Sequence, residues 1–388
     1  MSGCRGLARD ALAAVVGANP GVELTLCHPR PGTLSQTAFA ALLEAAGPRL
    51  GGLVLSADCS TVAEALAVLR REGPFAVVRA VRRLGVSFPV HAPQPSVDEL
   101  RVLLDAADGS AGGAPQLELK FADLRGEGVL DALVDRVLAL RMRYLSLLNC
   151  KLPLDGGAAM ERLLRDGTSL SELHLQDSKP LFDEAHAACP LARGLAANGS
   201  LRALSLRGCS IWDLHGDCDR PRCMDSTLAL LAALAAHPSL RWLDLSHNLM
   251  WIIPRRDAET RALDNAVGAV LAAMLRAPAL LELDLGHSML RADVLEPLFA
   301  ALRGRTTLQV LRCVESHRIE PLTERLVKDV LTPAVALNEG LRDLFLGSGA
   351  EFVEVEVVKR EARRRAAGDR EEERRLLREA AVWFRKRD

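Results

Sequence analysis

The sequence predicts an α/β repeat solenoid, with a curved, parallel inner β-sheet, outer helices and about 10–11 repeats. Three observations carry this reading. A leucine pair one residue apart recurs along the chain, most clearly as Leu173-x-Leu175, Leu204-x-Leu206, Leu243-x-Leu245 and Leu283-x-Leu285. The first leucine of each predicted strand, taken as a marker, falls at 24, 53, 84, 117, 145, 173, 204, 243, 283, 311 and 344, at intervals of 28 to 40 residues, with Val86 and Cys313 standing for the second leucine after Leu84 and Leu311. Helix-forming sequence follows almost every copy. Two side chains one residue apart share a strand face, so each pair is read as the apolar side of a short strand. No such strand–helix unit buries its apolar face alone; stacked neighbours share one core.

The strands are clearest from the fifth unit onward. A further leucine precedes the marker by three residues at Leu170, Leu201, Leu240 and Leu280. Several units continue as a longer motif: Leu145-x-Leu147-x-x-Cys150-x-Leu152, Leu204-x-Leu206-x-x-Cys209-x-Ile211 and Leu243-x-Leu245-x-x-Asn248-x-Met250. With these residues the chain resembles the ribonuclease-inhibitor-like class of leucine-rich repeats over roughly residues 8 to 350. The resemblance implies a leucine-rich-repeat solenoid in which Cys150, Cys209 and Asn248 sit at a buried corner and hydrogen-bond turning backbone. It implies a fold, and a fold hosts many activities. The first units are degenerate: Leu84-Gly-Val86 keeps the spacing, while Pro89, Pro93 and Pro95 predict an irregular turn after it.

Helices are predicted at Thr227–His237 and Asn265–Leu275, where strong helix formers carry apolar residues at three- and four-residue spacing. Asn198-Gly-Ser, His237-Pro-Ser and Asn338-Glu-Gly stop helices before the next strand. Two intervals, 39 and 40 residues, exceed the base period by about ten, which places insertions near 208–226 and 251–264. The domain reading is a solenoid over 1–350, then a charged C-terminal cap or tail over 351–388 that is mainly helical. Within that tail Glu351 to Val358 alternates and predicts an edge strand.

A net charge of −1 gives no electrostatic attraction to nucleic acid or membrane, and 4% aromatics argues against a base-stacking platform. No run of 18 apolar residues exists, and the first ten residues carry charges where a secretory signal needs an apolar stretch. The nine cysteines lack the paired clusters of extracellular repeat proteins. A reduced, cytoplasmic monomer is therefore expected.

No catalytic residue, cofactor or metal is assigned. The insertion from Cys209 through His215 and Cys218 to Cys223 is read as a loop with free thiols; a tetrahedral zinc and a Cys218–Cys223 disulfide are the alternatives. Without a Gly-Lys dipeptide the phosphate-cradling loop is absent. The candidate partner-binding residues are those beside the leucines on the opposite, concave strand face: Tyr144, Glu172, His174, Arg207, Trp242, Asp244, Glu282, Asp284 and Arg312. Asp244, Asp284, Glu282 and Trp242 are expected to be close neighbours. These features point to a non-enzymatic protein–protein interaction scaffold. The same class of repeat implies two alternatives, a GTPase-activating protein of the Ran-activator type and a bacterial effector delivered to host cells.

Overall fold

In the computed structural model, the residues described are 23–27, 52–56, 83–88, 95–98, 100–101, 104, 116–178, 188–211, 220–248, 258–288, 290–303, 307–314, 326–347, 351–353 and 359–360. The chain forms two compact units, Met1–Asp183 and Glu184–Asp388.

The first unit carries strands β1 (Glu23–Cys27), β2 (Gly52–Ser56), β3 (Arg83–Ser87), β4 (Gln116–Lys120), β5 (Tyr144–Leu148) and β6 (Glu172–His174). Each pairs in parallel with the next. Their register aligns the marker leucines in one row: Leu24, Leu53, Leu84, Leu117, Leu145 and Leu173. Helix α1 (Val129–Ala139) follows β4, and α2 (Gly157–Asp166) follows β5. In α1, Val129, Leu130, Leu133, Val134 and Val137 are buried, a single stripe at helical spacing. That stripe faces a core which includes the fully buried Leu117, Leu119, Leu145 and Leu147.

The second unit holds helix α3 (Ala188–Ala197), β7 (Ala203–Ser205), α4 (Arg220–Ala236), β8 (Trp242–Asp244), α5 (Ala258–Leu275), β9 (Glu282–Asp284), α6 (Ala292–Ala301) and β10 (Val310–Val314). A π-helical turn (Leu326–Leu331) leads into α7 (Thr332–Ala336), then β11 (Asp343–Gly347) and β12 (Glu351–Val353). Strands β7 to β11 are parallel and align Leu204, Leu243, Leu283, Leu311 and Leu344. Within the first unit, the degenerate copies at Leu24, Leu53 and Leu84 thus keep the same row as the clear copy at Leu173.

Strand β12 pairs antiparallel with β11, as the alternating sequence from Glu351 predicted. The rest of the 351–388 tail, apart from 359–360, lies outside the described residues. So do Pro89 and Pro93.

The two long intervals are partly helix. Helices α4 and α5 run 17 and 18 residues, against 10 for α2, α3 and α6. Residues 220–226 and 258–264, expected within insertions, are the opening turns of those helices. The remaining stretches, 212–219 and 249–257, lie outside the described residues. Among described residues, no helix is long and apolar enough to cross a membrane.

Candidate functional site

Six described repeats turn out of their strands by the same device. With the marker leucine as position 1, the fifth residue is left-handed at Phe121, Asn149, Asp177, Gly208, His247 and His287, with φ between 51° and 63°. Asn, Asp, Gly and His tolerate that conformation better than most residues. The sixth residue is buried and points into the corner: Ala122, Cys150, Ser178, Cys209, Asn248 and Ser288.

From that corner the side chain donates to the carbonyl of the second leucine in the preceding repeat. Cys150 Sγ reaches Leu119 O at 3.4 Å and Ser178 Oγ reaches Leu147 O at 2.8 Å. Asn248 Nδ2 reaches Leu206 O at 2.8 Å and Ser288 Oγ reaches Leu245 O at 3.2 Å. Burial pushes the Cys150 thiol up to about 12, so at neutral pH it stays protonated and able to donate. Asn248 does most: it also donates to Leu245 O and Ser246 O, and its Oδ1 accepts from Ile211 N at 3.2 Å. Thr227 Oγ1 donates to Ile211 O at 3.1 Å, so this residue, the last described before the first long interval, is held on both sides.

A second ladder closes the other end of the strands. Ser169, Ser239 and Thr307 donate to the carbonyls of Met142, Leu201 and Leu280, at 3.3, 2.9 and 3.0 Å. The Asn198 carboxamide accepts from Ser200 N and Leu201 N, and Asn338 accepts from Gly340 N and Leu341 N. These are the helix-stopping segments read in the sequence. Parallel strands, the left-handed turn, the hydrogen-bonded corner and the returning helix make up a leucine-rich-repeat fold.

The sequence-predicted residues fall into two groups. In the first unit, Tyr144 lies in register with Glu172, and Ser146 with His174. The Tyr144 and His174 rings are 5.2 Å apart, and His174 Nε2 lies 3.9 Å from Glu172 Oε2. In the second unit, the row Ser205, Asp244, Asp284, Arg312, Phe345 crosses five strands in register, beside the row Ala203, Trp242, Glu282, Val310, Asp343. Asp244 and Asp284 are direct neighbours and Trp242 faces Glu282, as expected. Arg312 lies 3.5 Å from Glu282 and 5.2 Å from the Phe345 ring centre, between an ion pair and a cation–π contact.

The two aspartates have local duties that the strand pattern did not reveal. Asp244 is 5% exposed; its Oδ1 accepts from Ser246 N and Ser246 Oγ, and its Oδ2 from Ser205 Oγ at 3.1 Å. Asp284 Oδ1 accepts from Gly286 N at 2.9 Å. Strands β8 and β9 end at these residues, so each carboxylate bonds the first amides of the turn that follows. Burial is the main cause that holds the Asp284 carboxyl above its ordinary range; the Asp244 charge adds to it, while Gly286 N, Arg312 and Arg207 oppose it.

The zinc candidates are split: Cys209 is buried at the corner and donates to Arg207 O, while His215 and Cys218 lie outside the described residues. Among the described residues, no three His, Cys, Asp or Glu are grouped to hold a metal.

No protein-family model matches this chain, and no curated protein matches it. Among solved structures it is similar to the leucine-rich-repeat-containing protein LegL7 from Legionella pneumophila. That match has 14% sequence identity and a TM-score of 0.49, covering 90% of this chain and 93% of that one.

Proposed function

We propose that this chain is a non-enzymatic protein-interaction scaffold of the ribonuclease-inhibitor-like repeat class, and that it engages its partner through the face predicted as concave. One observation carries the reading: the second unit aligns half-buried Trp242, Glu282, Arg312 and Phe345 on adjacent strands of one sheet face. Aromatic and arginine side chains of this kind anchor protein interfaces. Their mixed charge suits a partner that offers both signs. The Asp244 and Asp284 carboxylates bond their own turns, which supports a structural role for them over acid–base catalysis. The free thiols of Cys150 and Cys189 support a reducing, cytoplasmic setting. Loops expected from the sequence within 208–226 and 251–264 would extend the binding surface.

The test is affinity capture with mass spectrometry, comparing the wild type with a Trp242→Ala/Glu282→Arg variant. Both substitutions leave the Asp244 and Asp284 turns intact. Loss of the specific partners with an unchanged circular dichroism spectrum is expected; full retention of those partners rejects the assignment.

A further inference from the structure

A second surface lies in the first unit, on the turns beyond the strand ends. It is marked by Phe121. This residue occupies the left-handed fifth position at φ 59°, where five other described repeats place Asn149, Asp177, Gly208, His247 and His287. A bulky side chain there is a backbone outlier, because its Cβ crowds the neighbouring carbonyl. The ring gains little burial in exchange, for Phe121 is 45% exposed. Its amide donates to Leu148 O at 2.9 Å, the same ladder bond that Asn149 makes to Gln176 O in the next repeat. Phe88, at the same position one repeat earlier, makes the equivalent bond to Lys120 O with its side chain buried and without a left-handed backbone, whereas Phe121 adopts the strained conformation and leaves its ring exposed. Strain retained at an exposed aromatic residue is the pattern of a contact site.

The surroundings indicate what would bind. Asp123 is gripped by Arg125, with Nη2–Oδ2 at 2.7 Å and Nε–Oδ1 at 2.9 Å, and Lys151 Nζ lies 3.7 Å from the same carboxylate. The Asp123 side chain is 15% exposed, while Arg125 and Lys151 are 48% and 61% exposed. One sheltered negative charge thus sits under two outward positive ones. The platform is rigid: Leu124 N donates to Lys151 O and Lys151 N to Ala122 O, joining adjacent repeats. A pre-formed platform loses little freedom on binding.

We propose that Phe121, Arg125 and Lys151 form a docking surface for a protein segment that presents a large apolar side chain next to carboxylates. The ring takes the apolar side chain, and the two cations take the acidic neighbours. This surface does not depend on the Trp242 face.

Phe121→Asn makes a test that folding failure cannot mimic, since asparagine suits the left-handed turn and the variant should melt at a higher temperature than the wild type. The probe is a displayed library of random 12-residue peptides, selected on the full chain. The enriched peptides are expected to carry Phe, Leu or Trp beside Asp or Glu. Their affinity should fall at least about tenfold with Phe121→Asn, as truncation of an aromatic anchor does, and fall again with Lys151→Glu. Trp242→Ala/Glu282→Arg should leave it unchanged. Enrichment of basic peptides, of peptides indifferent to Phe121→Asn, or of none, would overturn the proposal.

Discussion

Lys359 Nζ donates to the backbone carbonyl of Leu341 at 2.6 Å, from a side chain that is almost fully buried. Leu341 precedes the last marker leucine by three, as Met142, Leu201 and Leu280 precede theirs. Those three carbonyls each receive a hydroxyl from the following repeat: Ser169, Ser239 and Thr307. Among the described residues no parallel strand follows β11, and Lys359 supplies the donor to Leu341 O. Together with the antiparallel β12, it closes the open end of the second unit.

Lys359→Met keeps the length of that side chain and removes the donor. It should leave Leu341 O buried and unsatisfied, at a cost of about 1–3 kcal/mol. Urea unfolding reads the loss, and native-state hydrogen exchange should place it first in β11. Equal stability in wild type and variant would show that the lysine is not a cap.

His237 occupies the position where Asn198 and Asn338 stop their helices. Its Nδ1 accepts from Ser239 N at 3.4 Å, and Nε2 is buried without a hydrogen bond. Burial holds this imidazole below its ordinary 6.5. Below about pH 6.5 the unfolded chain therefore binds a proton that the folded chain resists, and stability falls as pH drops between the two values; above that window the group has no effect. His237→Asn should flatten this part of the pH profile and shorten the turn bond. Urea midpoints from pH 5 to 8 decide it: a slope that survives in the variant belongs to another group.

Gly268 lies within α5, where a Cβ would meet Pro297 Cγ of α6 at 2.6 Å and Val294 O at 3.2 Å. The proline ring cannot swing away as a flexible side chain would. Gly268→Ala gains helix propensity of about 1 kcal/mol but forces the two helices apart, an overpacking cost of about 1–3 kcal/mol. Net destabilisation is expected, visible as a lower melting temperature. A stabilised variant would mean that α5 and α6 shift freely.

The leucine spacing alone predicted all eleven marker positions, because a period-two apolar pair has only one register in which every copy faces the core. Cys150, Cys209 and Asn248 were legible as corner residues because a known motif names those types. Ser178 and Ser288 do the same work and were missed, since serine is common and its carbonyl partner lies 31 or 43 residues back. The fifth-position residues Asn149, Asp177, Gly208, His247 and His287 were present too; their shared feature is a backbone angle, which no single residue type spells. The placement of Trp242 and Glu282 side by side on adjacent strands followed from alternation. The inward duties of Asp244 and Asp284 did not, because they depend on strands β8 and β9 stopping after three residues.

Asp284 gives a test of that last point. Its folded carboxyl is raised, so the protonated form is favoured in the native state: the stability this lends is present at pH values below the unfolded value and is lost as pH rises through the folded one. At neutral pH the buried charge, next to Asp244, is a net cost that Arg312 and Arg207 only partly offset. Asp284→Asn keeps an oxygen to accept from Gly286 N and removes the charge. It should stabilise the chain at pH 7 by up to about 1 kcal/mol, with the advantage shrinking as pH falls toward 4. Paired urea titrations at pH 7 and 4 measure this directly. Destabilisation at pH 7 would mean that attraction to Arg312 and Arg207 outweighs burial, and that the carboxylate belongs with the charged anchors of the exposed face.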